Sequence, residues 1–400
     1  MTKIRIPTLL ATLAFLLGAC GAGGGAVATV APSTSPSPHE VIKIGFPASL
    51  SGPNALSGEE AVQGAKLAIQ QINQAGGLLG KYDLSLVTED GKCTPADGLN
   101  AANKLILAEK VNFLFDGICS GATLAFMPVA AANQIPLIIA DSSNPLITDQ
   151  MGIGGNKWAF RTRVSDAQIS ATFAKLVYDS LKIKSVYIYA EDDSFGRAGA
   201  DTWVNYTKNY ASSGAAVAGS AYYQPGAADH TAALTTIKAA KPDAIYFIGA
   251  QIDGQNVVRQ FHQLGLTQRI LCLCDLLSPS FVQNVGSQLA AGIIGGTYWS
   301  SSIDTALNKA FISDFTKAYG KAPSANNALP YWAVQVLANA IQIAGSVDGA
   351  KVVDAMRQVD LPVLAGKVHF DDHNQAHTDV YIVEIQADGT FKTIASTSGV

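Results

Sequence analysis

Short apolar runs alternate with amphipathic, helix-length segments from residue 41 to about residue 273, and this alternation constrains the fold more than any other feature of the chain. Residues 41–46 predict a strand. Residues 57–75 predict a helix with Ala61, Ala65, Ala68 and Ile72 on one face, ended by Gly76 and Gly77. Strands at 84–88, 113–115 and 137–140 follow, separated by helices at 95–110 and 120–133, with Pro95 in the first turn of the earlier one. The rhythm then restarts. Helices at 166–182, 196–211, 230–240 and 253–264 precede strands at 186–190, 216–222, 244–248 and 270–273, respectively. Runs such as Val186-Tyr187-Ile188-Tyr189 and Ile245-Tyr246-Phe247-Ile248 are apolar on both faces, which suits parallel strands covered by helices on each side. Two runs of βα units predict an α/β protein of two doubly wound, parallel-sheet lobes. Such sheets bind ligands beyond the carboxyl ends of their strands, so two facing lobes make a cleft. Near the C-terminus, 366–370 and 379–386 read as a hairpin around Asp371-Asp372-His373-Asn374.

The chain of 400 residues is 48% apolar but only 14% charged. That charge content is well below the roughly 25% of an average soluble domain, and it excludes a highly charged disordered chain. The net charge is −4 and no block of Lys or Arg occurs, so the basic stripe of a nucleic-acid binder is missing.

Lys3 and Arg5 precede an apolar run at 9–17 and then Leu17-Gly18-Ala19-Cys20. This order reads as a secretory signal, too short for a spanning helix. The small residues before a cysteine resemble a bacterial lipoprotein signal, which implies cleavage after residue 19 and lipidation of Cys20. Cleavage would remove two positive charges and no acid. Residues 21–40 hold four Gly and three Pro and read as a linker with a reach on the order of 25 Å. Three later stretches, 118–140, 276–303 and 322–347, carry no charge. Pro128 and Pro136 break the first, Ser, Gln and Gly fill the second, and Gln335, Asn339 and Gln342 stripe the third, so none predicts a membrane span. The body is expected to be exported, soluble and held at the outer face of the membrane by the lipid alone.

Four cysteines besides Cys20 allow three full pairings. Cys93 and Cys119 each follow a strand of the first lobe. A bridge between them would close a loop of about 25 residues, worth roughly 3.5 kcal/mol in the chain-entropy model. Cys272 and Cys274 lie two apart on one strand, where a bond would be strained; both are expected as thiols, at least partly buried.

No Gly-x-Ser-x-Gly elbow occurs, and the segment from Ala75 to Tyr82 lacks the first Gly and the final Ser/Thr of a phosphate loop. His369, His373 and His377 recur every four residues, but across a predicted turn that spacing builds no metal stripe. No metal and no cofactor is expected. What remains is small and polar. Ser120 opens a predicted helix, and Ser142 and Ser143 follow a strand, places where hydroxyls and open backbone N–H groups suit a carboxylate. Asp275 follows the last strand of the second lobe and could pair with an ammonium.

Ser49-Leu50-Ser51-Gly52-Pro53, Cys93 within Asp-Gly-Lys-Cys-Thr-Pro, and Ile118-Cys119-Ser120 resemble the leucine/isoleucine/valine-binding protein family. Asn144-Pro145-Leu146-Ile147-Thr148 and Ser194-Phe195-Gly196-Arg197 are similar to it too. The resemblance spans roughly 41–390. It implies the type I periplasmic binding protein fold, two lobes on a multi-strand hinge that close on a solute for an ABC importer. It implies that Ser120 meets the ligand carboxylate, and that Asp141-Ser142-Ser143 form the next binding loop, through the Asp141 carbonyl and the Ser143 hydroxyl. It places Asp275 at the acid for the α-ammonium and pairs Cys93 with Cys119. Three positions depart from the family. Phe195 stands where an aromatic, often Tyr, closes over the ligand; Ala250, beside Gln251, stands where another Tyr is common; Ser57 stands where a larger side chain can wall the pocket. The charged poles are kept while the side-chain pocket is altered.

The expected function is capture of an amino acid or related carboxylate by hinge closure and its delivery to permease subunits, with no catalysis, by a monomer. Lobe I is expected at 41–164 plus 297–368, and lobe II at 165–296 plus 369–400. A carrier or sensor for an aromatic acid, amide or urea-like solute would use the same fold without needing Asp275. A metal carrier would need the His369, His373 and His377 group, and a hydrolase would need a base near Ser120 or Ser143.

Overall fold

The computed structural model describes residues 39–273 and 276–399, with 39–399 forming one compact unit. The expectations for residues 1–38, including Cys20, and for Cys274 and Asp275 therefore lie outside the described residues.

The first half runs β1 (Glu40–Phe46), α1 (Ala55–Gln74), β2 (Tyr82–Thr88), α2 (Pro95–Asn103), β3 (Phe113–Phe115), α3 (Ser120–Ala132), β4 (Leu137–Ile139), α4 (Pro145–Asp149) and β5 (Ala159–Arg161). The second half starts with α5 (Asp166–Lys175), β6 (Ser185–Glu191), α6 (Ser194–Lys208), β7 (Ala216–Tyr223), α7 (Thr231–Ala240), β8 (Ala244–Ile248), α8 (Gln251–Gln263), β9 (Arg269–Leu273), α9 (Pro279–Val285), α10 (Ser287–Ala290) and β10 (Ile294–Thr297). Helices α11 (Ala306–Tyr319), α12 (Ala325–Ala344) and α13 (Gly349–Met356) follow, then β11 (Leu361–Val363), β12 (Gly366–Val368), β13 (Val380–Ile385) and β14 (Phe391–Thr397).

Two sheets carry the fold. The first has the order β2-β1-β3-β4-β5 and is parallel throughout. The second has the order β14-β13-β10-β9-β8-β6-β7, parallel from β10 to β7 and antiparallel at β13 and β14. Within their parallel parts the two sheets repeat one topology: the first strand sits between the second and the third. Each sheet thus has one point where strand order reverses, and a crevice opens there at the strands' carboxyl ends. This is the α/β architecture of two parallel-sheet lobes that the alternation predicts.

Both-face apolar strands are buried as that layout requires. All five residues of β8 are buried, and β6 is buried from Val186 to Glu191. On α1, Ala61, Ala65 and Ala68 are buried. Small residues on that face allow α12 to come close: a Cβ on Gly64 would stand 1.9 Å from the Asn327 carbonyl oxygen, so only glycine fits. The apolar stretch 322–347 is therefore explained by packing, with Trp332 fully buried and its indole N–H donating to the Thr162 carbonyl at 3.0 Å. Among the described residues, no helix is long and apolar enough to cross a membrane.

The C-terminal hairpin differs from expectation. The chain does turn at 371–374, with Asn374 at φ +56° and a single bridge between Phe370 and Ala376. Yet β12 pairs with β11, and β13 pairs with β10 and β14. Two short turns, at Leu364-Ala365 and at Asp388-Gly389, outcompete the longer loop because they close adjacent strands directly. The 371–374 turn instead belongs to the third passage of the chain between the sheets; the others follow β5 and β10.

Candidate functional site

Asn54, Ser57, Ile118, Cys119, Ser120, Asp141, Ser143 and Arg163 of the first half, with Asn326 of α12, face Glu191, Asp193, Phe195 and Ala250 of the second half and Tyr298 across a single cavity. Measured out to its open mouth and with the solvent there included, that space is about 490 Å³. Its walls are the two points of strand-order reversal. Ile118 to Ser120 follow β3, while Glu191 ends β6 and Ala250 follows β8.

The first wall is built around the start of α3. Cys119 caps that helix and Ser120 is its first residue, so the N–H groups of its first turn have no acceptor within the helix. A γ-turn precedes it: the Cys119 N–H donates to the Gly117 carbonyl at 2.6 Å, and Ile118 at its centre has φ +66°. A β-branched residue in that region stores roughly 1–3 kcal/mol of strain, which the packing around the site must hold. Cys93 and Cys119 form a disulfide with Cα atoms 5.2 Å apart, and the Asn54 amide reaches Cys93 Sγ at 3.1 Å, so the bridge braces this wall from behind.

The loop after β4 is held by a buried acid that the sequence reading passed over. Asp116 accepts the N–H groups of Ala140, Asp141 and Ser142, the last at 2.6 Å. Asp141 and Ser143 thereby line the cavity. Ser142 does not; its hydroxyl meets Thr123 Oγ1 at 2.7 Å and the Ile118 carbonyl at 3.1 Å. The Ser143 hydroxyl donates to Asp166 Oδ2 at 2.6 Å. Arg163 is 1% exposed and pairs with both acids, Nη1 lying 3.7 Å from Asp141 Oδ1 and Nη2 3.5 Å from Asp166 Oδ1. Its guanidinium stacks 3.8 Å from the Tyr298 ring centroid. Burial pushes the Asp166 carboxyl above its ordinary range, and Arg163 pulls it back. Arg163 Nη1 also donates to the Asp141 carbonyl at 2.6 Å, so this side chain ties the Asp141 loop to the start of α5.

The second wall is acidic. Glu191 is 4% exposed and its Oε2 accepts the Ala250 N–H at 3.1 Å. Asp193 caps α6 by accepting the Phe195 and Gly196 N–H groups at 2.9 and 2.8 Å. Burial pushes the Asp193 carboxyl above its ordinary range, and the neighbouring Glu191 side chain pulls it partly back.

Of the sequence-derived candidates, Ser57, Ser120, Asp141, Ser143, Phe195 and Ala250 lie on this cavity, Ser142 lies behind it, and Asp275 is outside the described residues. Sequence reasoning missed Glu191, Asp193, Arg163, Tyr298, Asn54 and Asn326. The run Glu191-Asp192-Asp193 directly after a predicted strand was the available signal for the first two. Cys272 is fully buried, packed toward Gly295. Around His369, His373 and His377, His377 Nε2 meets Asp371 Oδ2 at 2.9 Å, and no group of metal-binding side chains exists among the described residues.

The periplasmic binding protein family model matches residues 41–390. A Leu/Ile/Val-binding protein of Rhizobium johnstonii is 31% identical over 349 residues, covering 84% of this chain and 89% of that protein. A leucine-binding protein from Thermotoga maritima has a crystal structure that superposes with a TM-score of 0.80 at 26% identity, covering 89% of this chain and 99% of that one. A Rhodopseudomonas palustris solute-binding protein crystallised with benzoate shares the fold at a TM-score of 0.79 and 21% identity, covering 90% of this chain and 97% of that one. The twofold strand order, the cavity at both reversal points and these likenesses agree: the chain belongs to the periplasmic binding protein family.

Proposed function

We propose that this protein captures an amino acid, of the branched-chain type or a related small one, and delivers it to the permease of an ABC importer. One observation carries the reading. The open N-terminal turn of α3, with Ser120, faces the Glu191–Asp193 pair across one cavity, which gives a place for a carboxylate opposite a place for an ammonium. Ser120 and the Ser143 loop would receive the carboxylate, Glu191 would hold the ammonium with Asp275 as a second acid, and Phe195 would cover the ligand. The wall formed by Asn54, Ser57 and Asn326 is polar, which favours a short or hydrogen-bonding side chain over a long aliphatic one. The relatives named for leucine, isoleucine and valine support the amino-acid class.

The chain is read as an exported lipoprotein of extracytoplasmic location, tethered through Cys20 and working as a monomer. Loss of radiolabelled palmitate incorporation in Cys20→Ala checks the anchor.

Thermal unfolding of residues 39–400 against the twenty amino acids, aromatic acids, small amides and zinc tests the ligand class. A ligand at about a thousandfold its Kd adds roughly 4 kcal/mol, a shift of several degrees. A shift with one group of amino acids names the cargo. A shift with a benzoate or an amide, and with no amino acid, replaces the reading with the aromatic-acid or amide carrier.

A further inference from the structure

Helix α1 carries one carboxyl group that faces inward. Glu60 is 3% exposed, and its Oε2 accepts from Ser324 Oγ at 2.7 Å and from Asn326 Nδ2 at 3.2 Å. Its backbone carbonyl accepts from Asn327 Nδ2 at 2.7 Å. These partners all belong to the start of α12, in the same lobe. The remaining oxygen, Oε1, accepts from Ser280 Oγ at 3.2 Å, and Ser280 lies in α9 of the other lobe. Ser280 is itself placed by Gln251 Nε2 at 2.9 Å and by Ser278 Oγ at 3.2 Å. Gln251 directly follows Ala250, and Asn326 lines the cavity, so Glu60 touches residues next to the ligand space on both sides without lining it.

Other contacts also join the lobes near the cavity. The Asn144 amide donates to the Ser194 carbonyl at 2.7 Å, and Gly226 packs against Pro53. Two titrating groups stand at or behind such contacts, Asp166, which accepts the Ser143 hydroxyl at 2.6 Å, and Asp253, which accepts the Gly226 N–H at 3.0 Å, and the Glu60→Gln comparison below separates Glu60 from them. We propose that Glu60 is the latch of the cleft: its carboxyl, shared between Ser280 of one lobe and Asn326 on the cavity wall of the other, holds the lobes together in the closed arrangement. The proposal rests on the hinge of the fold and not on which solute is bound.

A consequence follows from the burial of that carboxyl. Desolvation pushes it above its ordinary range, against the pull of Ser324, Lys321, Asn326 and Ser280. Among the described residues, Lys321, from the segment before α12, is the charged group that acts on it, and from α8 and α9 it meets the Gln251, Ser278 and Ser280 group. Part of the burial comes from the second lobe, so opening returns water to the carboxyl and lowers its proton affinity. The closed form binds the proton more tightly, and acidification therefore favours closure.

The test needs no ligand. Nitroxide labels are attached through an introduced keto amino acid at Leu107 and Thr235, exposed sites on the two lobes, in residues 39–400. Pulsed electron-resonance distances at pH 5 and pH 8 give the closed fraction. The expected result is a closed fraction that rises about threefold on acidification in the wild type, a response lost in Glu60→Gln, and a smaller closed fraction at pH 5 in Ser280→Ala. A wild type without a pH response overturns the proposal. So does a Glu60→Gln variant that keeps the response, because other carboxyls then carry it. If Glu60→Gln fails to fold, Ser280→Ala decides alone, and an unchanged closed fraction in it overturns the latch. Failure of the amino-acid screen leaves this outcome untouched.

Discussion

Arg161 and Gln375 join the first and third passages between the sheets: Arg161 Nε donates to Gln375 Oε1 at 2.7 Å. Arg161 Nη1 also holds the carbonyls of Ser142 and Asn144, at 3.3 and 3.0 Å, so the hinge brace and the Ser143 binding loop share one side chain. Burial, and then the charge of Arg163, lower the Arg161 pKa from 12.5 to about 9, so it remains a cation at neutral pH. Removing one member of a buried charged network costs about 3–5 kcal/mol. Arg161→Met is expected to lose that much in urea unfolding. Arg161→Lys should also lose stability, because an ammonium cannot reach three directions from one plane.

Glu191 is the acid on which the amino-acid reading turns. Glu191→Gln keeps the shape and removes the charge. Calorimetric titration with the amino acid that gives the largest thermal shift is expected to show about thirtyfold weaker binding or more, the lower end of the roughly 2–5 kcal/mol range for a broken buried charge pair. Asp275→Asn in the same titration apportions the ammonium between the two acids. An unchanged affinity in Glu191→Gln would move the ammonium away from β6.

The alternation of apolar runs with amphipathic segments was enough to locate β3 and β8 to the residue, because both are short, fully buried and bounded by polar turns. It did not reveal β10, whose Ile294-Gly295-Gly296-Thr297 has the composition of a loop and is held as a strand by β9 and β13 on either side. The site divides in the same way. Ser120 and Ser143 were legible because their place at a strand end follows from local rhythm. Arg163, Tyr298 and Asn326 were not, because they enter from three distant segments that only the hinge brings together.

The Cys93–Cys119 bridge spans 26 residues and stands behind the wall made by Asn54, Cys119 and Ser120. The chain-entropy model assigns a loop of this size about 3.5 kcal/mol. Replacing both cysteines with alanine is expected to lower stability to denaturant by about 2–5 kcal/mol. Ligand affinity should fall as well, since Ile118 at positive φ is strained and depends on its surroundings. A double variant with wild-type stability would show that the packing of α2 on α3 suffices by itself.

Asp253 gives the clearest pH dependence. Its carboxyl is fully buried, accepts the Gly226 N–H on both oxygens at 3.0 Å, and is pushed by burial from 3.8 to about 6. An acid whose proton affinity is higher in the folded state favours folding where it is protonated. Its contribution is lost as pH rises from the unfolded value through about 6, and the cost above that is at most about 3 kcal/mol. Burial pushes Glu60 and Asp166 the same way, so the wild-type curve sums several acids. The difference curve isolates one of them. Asp253→Asn keeps an acceptor for Gly226 and should match the wild type at pH 4, then exceed it in melting temperature by a few degrees at pH 7.5. A difference that stays constant across that range would mean that the Asp253 carboxyl does not titrate within it.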